Sequence, residues 1–303
     1  MTWDPARKLF IHIGRGWVPD RENILNDLVS KGKRLIAVFE SANMERWRYQ
    51  GLAMDLDEDD GSGMLYQHWT MQPFNYGDQY LGVLNIATIR GPGRIGRLEL
   101  VSSRDGRIWR YVSRHQAFIP LGASGHYDAS NSICLVAGPS VPVGDQIYIY
   151  FTSRNDMGYL GMSKLTRDRF VGMQGGDGVQ ILGKAEPGIK SQTVEPVLNG
   201  IRLPYILTRN LRVTSPRLQV NLQTQADGFM RVSVRRPYVD DKDWGSQEIP
   251  GYSGDDCIVV KGDDTRADVR WKNGKDLSEF VGRPVVLMFE LKNATLWAYR
   301  FSQ

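Results

Sequence analysis

The chain is poor in cysteine and histidine. Cys134 and Cys257 are its two cysteines among 303 residues, and it has four histidines. Both cysteines lie in apolar, strand-like segments, which favours buried free thiols; a disulfide would require a close Cα approach that a sequence cannot establish. No Cys/His spacing typical of a zinc site occurs, so we predict neither a metal nor a cofactor.

Long apolar runs and basic clusters are also missing. No segment approaches the ~18 apolar residues that span a bilayer. The N-terminal MTWDPARKLFIHIG lacks the order of a signal peptide. The 38 Lys+Arg and 34 Asp+Glu are scattered, without the basic and aromatic cluster typical of nucleic-acid binding. The composition is that of a soluble protein, so we predict neither a membrane nor a nucleic-acid partner. It does not indicate a cellular compartment.

A repeated motif is the most informative feature present. RLIAVFESANMERW begins at Arg34 and RLELVSSRDGRIW begins at Arg97. Both contain an alternating strand, then Ser, a turn residue and Trp. The repeated positions are Ser41, Asn43 and Trp47 in the first copy and Ser103, Asp105 and Trp109 in the second. The Asn or Asp can hold the turn by bonding its own backbone, and the Trp can fill the layer between sheets.

The repeat predicts blades of a β-propeller, because a fixed period of short strands indicates one unit used several times. Strands pair as a first strand, a loop and a second strand, starting at Lys8, Tyr80 and Gln146. The third copy is degraded: Ser163 is present without the Trp. Two ordinary hairpins with similar turns are the alternative.

Composition along the chain predicts three segments. Residues 1–175 form an incomplete propeller of about three blades, residues 176–210 a connector, and residues 211–303 a β-sandwich with alternating strands and regular turns. The one helical signal, from Asp20 to Lys31, indicates a short insert. The predicted fold class is therefore all-β.

The chain resembles the glycoside hydrolase family 32-like proteins. The segments that carry the resemblance are YLGVLNIA, LELVSSRDGRIWRYVSRHQAFIPLGASGHYD, PVGDQIYIYF and the tail from IPGYSGDDC to LWAYRF. The resemblance implies a five-bladed propeller followed by a β-sandwich, a carbohydrate substrate and export from the cell.

The same resemblance implies that blades are missing at the N-terminal side. The related families carry an essential acidic residue on the first blade, and no position here can receive that role. Open blade edges favour aggregation, so another copy or a partner chain is expected to cover them.

Glycoside hydrolysis requires two carboxyl groups facing each other across the bond. The first candidate segment is DLDEDD at residues 55–60, where Asp57 and Asp59 are candidate catalytic residues. The aromatic segment that follows supplies candidate sugar contacts, which are Tyr66, His68 and Trp69. A solvated charged loop explains the same residues.

Two further segments supply candidates. In GASGHYD, Asp128 is the preferred catalytic carboxyl group, with His126 and Tyr127 as sugar contacts; a turn-capping Asp with a packed Tyr is the alternative. In TSRND, Arg154 and Asp156 could bind a hydroxyl or carboxylate group, and a polar hairpin loop explains them equally well.

One acidic residue is excluded from the site, and two others are ambiguous strand residues. Asp105 is assigned a turn-forming role, because Asn43 takes the same place in the other copy and an amide cannot replace a catalytic acid. Glu40 and Glu99 are expected at the surface, where most glutamates lie.

Three functions compete at this point. The first is a glycoside hydrolase acting on a poly- or oligosaccharide through carboxyl groups. The second is a non-catalytic carbohydrate-binding protein, and the third is a structural or assembly protein. The missing first-blade acid favours the second and third for this chain acting alone.

Overall fold

A computed structural model describes residues 1–19, 32–54, 65–90, 93–129, 134–136, 140–153, 159–180, 197–199, 201–239 and 247–303. The chain divides into two compact units, Met1–Thr166 and Arg167–Gln303. Strands dominate both units, and the all-β prediction is confirmed. The helical prediction for Asp20 to Lys31 lies outside the described residues.

The first unit contains three consecutive antiparallel sheets, each with four strands. Sheet 1 consists of β1 (Thr2–Asp4), β2 (Leu9–Pro19), β3 (Gly32–Ser41) and β4 (Arg48–Leu52). Sheet 2 consists of β5 (Leu65–Tyr76), β6 (Gln79–Arg90), β7 (Gly93–Ser103) and β8 (Arg110–Tyr111). Sheet 3 consists of β9 (Cys134–Val136), β10 (Val141–Val143), β11 (Gln146–Ser153) and β12 (Tyr159–Thr166). Sheets 1 and 2 pair their four strands in chain order, as the blades of a propeller do, whereas in sheet 3 both β9 and β10 pair with β11.

Sheets 1 and 2 share one apolar core. The side chains of sheet 1 that face sheet 2 alternate along β2 and β3, as Ile11 and Ile13 do. They pack against Leu84, Ile86 and Trp109 of sheet 2. Every second residue enters this core because successive side chains of a strand point to opposite faces of the sheet. The two sheets are also joined by a backbone hydrogen bond of 3.0 Å from the Trp109 N–H to the carbonyl of Ala53.

The two copies of the repeat fold into the same turn. In the first, the Ser41 hydroxyl accepts hydrogen bonds from the backbone of Asn43 and Met44, and the Asn43 side chain accepts two from Glu45 and Arg46. In the second, the corresponding acceptors are Ser103 and Asp105, and their donors follow at the same spacing.

The backbone and the tryptophans of the turn also correspond. Met44 (φ 63°) and Gly106 (φ 71°) both adopt the left-handed conformation. Each carbonyl accepts a 3.0 Å hydrogen bond from the indole N–H of Trp47 or Trp109 respectively. The turn role predicted for Asn43 and Asp105 is therefore what the structure shows.

The two tryptophans differ in their surroundings. Trp109 is 3% exposed and belongs to the core between sheets 1 and 2, as the repeat predicts. Trp47 is 37% exposed and packs against His12 of its own sheet, with ring centres 5.7 Å apart. The expectation that Trp47 fills a layer between sheets is wrong for the described residues, because no described sheet lies over that face of sheet 1.

The third turn does not repeat the motif. Ser41 and Ser103 are the last residues of β3 and β7, whereas Ser163 lies three residues before the end of β12 and pairs with Ile149. Ser163 therefore cannot take the hydrogen-bonding place of the other two serines.

The second unit is built on an antiparallel pair of two long strands, β19 (Arg217–Arg235) and β21 (Pro284–Ser302), with β20 (Asp263–Val269) on one edge. Short strands complete it: β13 (Met173–Gly175), β14 (Val179–Gln180), β15 (Val197–Leu198), β16 (Ile201–Arg202), β17 (Tyr205–Leu207) and β18 (Leu211–Arg212). The pairing of β19 with β21 shifts between Thr224 and Phe229. Side chains from both sides of this shift enter one core.

The boundary between the units differs from the expected segments. β13 falls within the expected propeller segment 1–175, yet it pairs with β21 of the second unit. β17 falls within the expected connector and also pairs with β21. The glycine-rich sequence after Thr166 suggested a break, but edge pairing with a distant strand has no local sequence signal.

Cys257 is a buried free thiol in this unit, as predicted. Burial raises its pKa to about 11. The side chain of Cys134 lies outside the described residues.

We expect Trp109→Ala to lower the free energy of unfolding by about 3–5 kcal/mol, the usual cost of emptying a large core site. For the single chain, Trp47→Ala is the matched control: it removes the same indole hydrogen bond from the same turn but an exposed ring, and should cost about 1 kcal/mol. Denaturant unfolding measures both losses, at protein concentrations over which the unfolding midpoint does not change. Equal losses would contradict the assigned core role of Trp109.

Candidate functional site

The acidic candidates Asp57 and Asp59 lie outside the described residues. So do Arg154 and Asp156. Tyr66 is placed as a strand residue of β5 that pairs with Thr88, and its side chain is not described. The structure therefore leaves these five assignments as predictions.

The side chains of His68 and Trp69 make contacts within the protein. His68 is fully buried, and its Nε2 lies 2.8 Å from the Tyr111 hydroxyl across sheet 2. The Trp69 ring lies under the Arg34 guanidinium at 4.8 Å, joining β5 to β3 of sheet 1. A His68 enclosed in this way cannot contact a sugar that stays outside the sheet.

One of the candidates in GASGHYD, Tyr127, contacts a residue that sequence reasoning missed. Tyr127 (36% exposed) and Tyr159 (40% exposed) meet edge to face, with ring centres 5.6 Å apart. His126 is exposed and Asp128 is half-buried beside them in sequence. We call Tyr127, Tyr159, His126 and Asp128 the tyrosine ledge. Tyr159 opens β12, 32 residues from Tyr127, so no local motif links the pair.

Close packing fixes the position of Tyr127. The Ser153 hydroxyl donates a 2.9 Å hydrogen bond to its backbone carbonyl. Gly161 leaves space for the ring, since a Cβ at that position would lie 2.5 Å from the Tyr127 hydroxyl oxygen. Both contacts come from the β11–β12 hairpin, which therefore supports one side of the ledge.

Asp128 is held by the loop that it closes. The Gly122 N–H donates a 3.2 Å hydrogen bond to the Asp128 carbonyl. A Cβ on Gly122 would lie 1.8 Å from Asp128 Oδ1, so only glycine fits against this carboxyl group. The carboxyl group of Asp128 thus lies against Gly122 of its own loop.

Glu40 and Glu99 are buried, which corrects the surface placement expected for them. Glu40 shares a face of β3 with Ile36 and Val38, where alternation turns it toward sheet 2. Glu99 accepts hydrogen bonds from the Arg97 side chain (2.6 Å) and the His115 backbone (3.2 Å). Burial raises the pKa of Glu99 in spite of both.

An ionic network surrounds Glu40. Arg107, from the second repeated turn, binds both carboxylate oxygens at 2.9 and 2.7 Å, and Arg7 binds one at 2.9 Å. The hydrogen bonds from Arg107 lower the pKa of Glu40, although burial opposes them. Glu40 is therefore an anion committed to two cations, which leaves it poorly suited to proton transfer.

Asp4 extends the network to sheet 2. Its carboxyl group accepts hydrogen bonds from Arg7 and from the Tyr80 hydroxyl on β6. Burial acts to raise the pKa of Asp4, but the bonds from Tyr80 and Arg7 outweigh it and lower the pKa to about 2. The network therefore joins sheets 1 and 2 by charge at the rim of their apolar core.

A cleft of about 720 Å³ opens beside this network. Its walls include Trp47, Asn43, Arg46, Arg48, Gln50 and Arg107. Three guanidinium groups around one neutralised carboxylate favour anionic over cationic occupants. Nothing in the spacing of the sequence pointed to this cleft, because Arg107 reaches it from a different sheet.

Within the described parts of the chain, no group of three or more His, Cys, Asp or Glu side chains could hold a metal ion. Nor is any helix there long and apolar enough to cross a membrane.

Comparisons with known proteins show likeness to carbohydrate-active enzymes at a low level. No protein-family model matches the sequence, and no curated protein matches it significantly. An N-acetylgalactosamine deacetylase from F. plautii is 14% identical with a TM-score of 0.40, over 56% of this chain and 50% of its own. This chain thus spans about half the length of that enzyme.

Two glycoside hydrolases match over more of the chain. An endo-arabinase from Bacteroides thetaiotaomicron is 12% identical with a TM-score of 0.37, over 90% of this chain and 93% of its own. A Bombyx mori GH32 β-fructofuranosidase is 11% identical with a TM-score of 0.35, over 95% of this chain and 76% of its own. Likeness of this degree leaves the family unassigned, and the family 32-like membership stays a hypothesis.

The Asp4 network predicts a dependence of stability on pH. A carboxyl group whose pKa falls from about 3.9 unfolded to about 2 folded stabilises the protein above pH ~4. This contribution, on the order of 1–2 kcal/mol, disappears as the pH falls from ~4 to ~2. Asp4→Asn should therefore be less stable than the parent at pH 6 and lose less stability over that acid range, as measured by chemical denaturation.

Asp78→Asn is the matched control for this prediction. Asp78 also pairs with an arginine, Arg104 at 3.0 Å, but both side chains are exposed. Exposed pairs contribute little. An Asp78→Asn effect as large as that of Asp4→Asn would argue against the buried network as the cause.

Proposed function

We propose that the protein binds carbohydrate at the tyrosine ledge. The observation that carries the proposal is the exposed, edge-to-face pair of Tyr127 and Tyr159, with Asp128 next to Tyr127 in the chain. Exposed tyrosines that are held in place by packing are more typical of a binding surface than of a random surface position.

The chemistry of the ledge suits a sugar. A pyranose ring has apolar C–H faces and hydroxyl groups along its edge. The tyrosine rings offer an apolar surface with a polar tip, and the Asp128 carboxylate and His126 imidazole can bond hydroxyl groups. The packing of Ser153 and Gly161 around Tyr127 reduces the ordering cost of binding.

Glycoside hydrolysis is the second proposal, and Asp128 is its candidate acid/base or transition-state-stabilising residue. The reaction needs a second carboxyl group across the bond, and Asp57 and Asp59 are the proposed sources. Arg154 and Asp156 remain proposed sugar contacts, since the chain that carries them connects Ser153 to Tyr159. Binding without hydrolysis is the outcome if the second carboxyl group is absent.

Tyr127→Ala and Tyr159→Ala should each weaken oligosaccharide binding about tenfold, equivalent to about 1.4 kcal/mol of lost stacking. Glycan-array screening followed by calorimetry on the best binder measures this. Tyr205→Ala is the matched control, because Tyr205 is equally exposed but lies in the second unit. Unchanged affinity in both ledge variants would remove the ledge from the proposal.

Asp128→Asn should abolish any hydrolysis of the bound oligosaccharide and leave the fold intact, because the amide keeps the size but cannot exchange the proton. Asp145→Asn is the control, since Asp145 is an exposed aspartate of the same sheet region. Reducing-end release by the full chain is the measurement. Retained turnover in Asp128→Asn would exclude it as the catalytic carboxyl group.

A further inference from the structure

Sheet 1 carries an exposed aromatic face. Its strands bring together Trp3 with Phe10 (ring centres 4.6 Å apart), Trp47 with His12 (5.7 Å) and Tyr49 with Phe39 (5.5 Å). Trp3, Trp47 and Tyr49 are exposed. We call these six residues the front face of sheet 1. Monomeric proteins rarely leave such a surface uncovered, and contiguous apolar patches mark interaction sites.

The same face of sheet 2 is buried, and the register shows the correspondence. Phe10 pairs with Ser41 in sheet 1 as Tyr80 pairs with Ser103 in sheet 2. By the repeat, Trp47 corresponds to Trp109. In sheet 2 both counterparts, Tyr80 and Trp109, belong to the core against sheet 1. The front face of sheet 1 is therefore a surface of the type that packs against another sheet within this chain.

Sheet 3 exposes the opposite type of face. Along β11, Ile147, Ile149 and Phe151 are buried, whereas Tyr150 between them is exposed. Tyr150 pairs with Met162, so the two share the outward face. We call Tyr150, Met162, Leu160 and Val141 the back face of sheet 3. All four are exposed.

The back faces of the earlier sheets are covered. On sheet 1 this face holds Ile11, Ile13 and Val38, all buried against the front face of sheet 2. β9 of sheet 3 in turn contacts β5, β6 and β7 of sheet 2. The joint between sheets 1 and 2 thus runs from a back face to a front face. The first unit exposes one front face and one back face.

We propose that a second copy of this chain covers both faces, with the back face of sheet 3 of each copy packed on the front face of sheet 1 of the other. Two such joints are related by a two-fold axis and close a ring, in which no apolar face is left open. Two copies of three sheets give six, within the range of four to eight blades found in propellers. The occupant is a second copy because the chain itself carries both halves of the joint.

The solution mass of the full chain tests this arrangement. We expect a mass of two chains, against 34.3 kDa for one, by light scattering at micromolar concentration. Tyr49→Asp on the front face and Met162→Asp on the back face should each give a mass of one chain, because each places a charge in both joints. Tyr49 is 58% exposed and Met162 49% exposed, so neither change disturbs the fold of one chain.

Ile108→Asp is the matched control. Ile108 is an apolar residue with 63% exposure in the turn after β7, on neither face, and this variant should keep the mass of two chains. Circular dichroism and the unfolding midpoint of each variant establish that it is folded.

Mixing the two face variants distinguishes a head-to-tail ring from other assemblies. A one-to-one mixture of Tyr49→Asp and Met162→Asp leaves one joint free of introduced charge, so the mixture should regain a weakened dimer. A parent chain with the mass of one copy would overturn the proposal, as would a Met162→Asp variant that keeps the parent mass, which would indicate pairing through the front faces alone. A mass of two chains in all variants would place the contact elsewhere and overturn it equally.

Discussion

The first unit depends on the carboxylate of Glu40 and the two arginines that neutralise it. Arg7 comes from the β1–β2 turn of sheet 1, whereas Arg107 comes from the turn after β7 of sheet 2. A buried carboxylate without partners would be strongly destabilising, so the bidentate contact with Arg107 fixes how the two sheets meet. The apolar core behind it contributes more stabilisation, but apolar contacts alone would tolerate sliding of one sheet on the other.

The repeated turn shows how one local structure serves two purposes. Its hydrogen bonds are the same in both copies, because Ser, Asn or Asp, and Trp supply the same acceptors and donor at the same spacing. Its environment is not the same. Trp109 fills a core since sheet 1 lies over it, whereas Trp47 lies at a surface that also forms a wall of the arginine-lined cleft. The local motif therefore sets the turn, and the neighbouring sheet sets the role of its Trp.

The tyrosine ledge, which is the proposed binding site, lies in the third sheet, where the repeat is lost. Ser163 no longer closes a turn of the repeated kind, and Gly161 two residues before it makes room for Tyr127 instead. The proposed binding residues and the proposed self-association faces lie on different surfaces, because Tyr159 and Leu160 are neighbours in a strand and point to opposite sides. The proposed sugar binding and the proposed assembly can therefore be tested separately on the same hairpin.

Alternation and turn chemistry, both local properties, were sufficient for the all-β class, the hairpin pairs, the two repeated turns and the buried thiol of Cys257. They were also sufficient to propose Asp128 and Tyr127 as candidate site residues. Only the tertiary structure placed Tyr159 beside Tyr127, enclosed His68, buried Glu40 and Glu99, and left Trp47 exposed. Each of these depends on a residue or a sheet distant in sequence, since burial of a charge or a ring is decided by what packs against it and not by the strand that carries it.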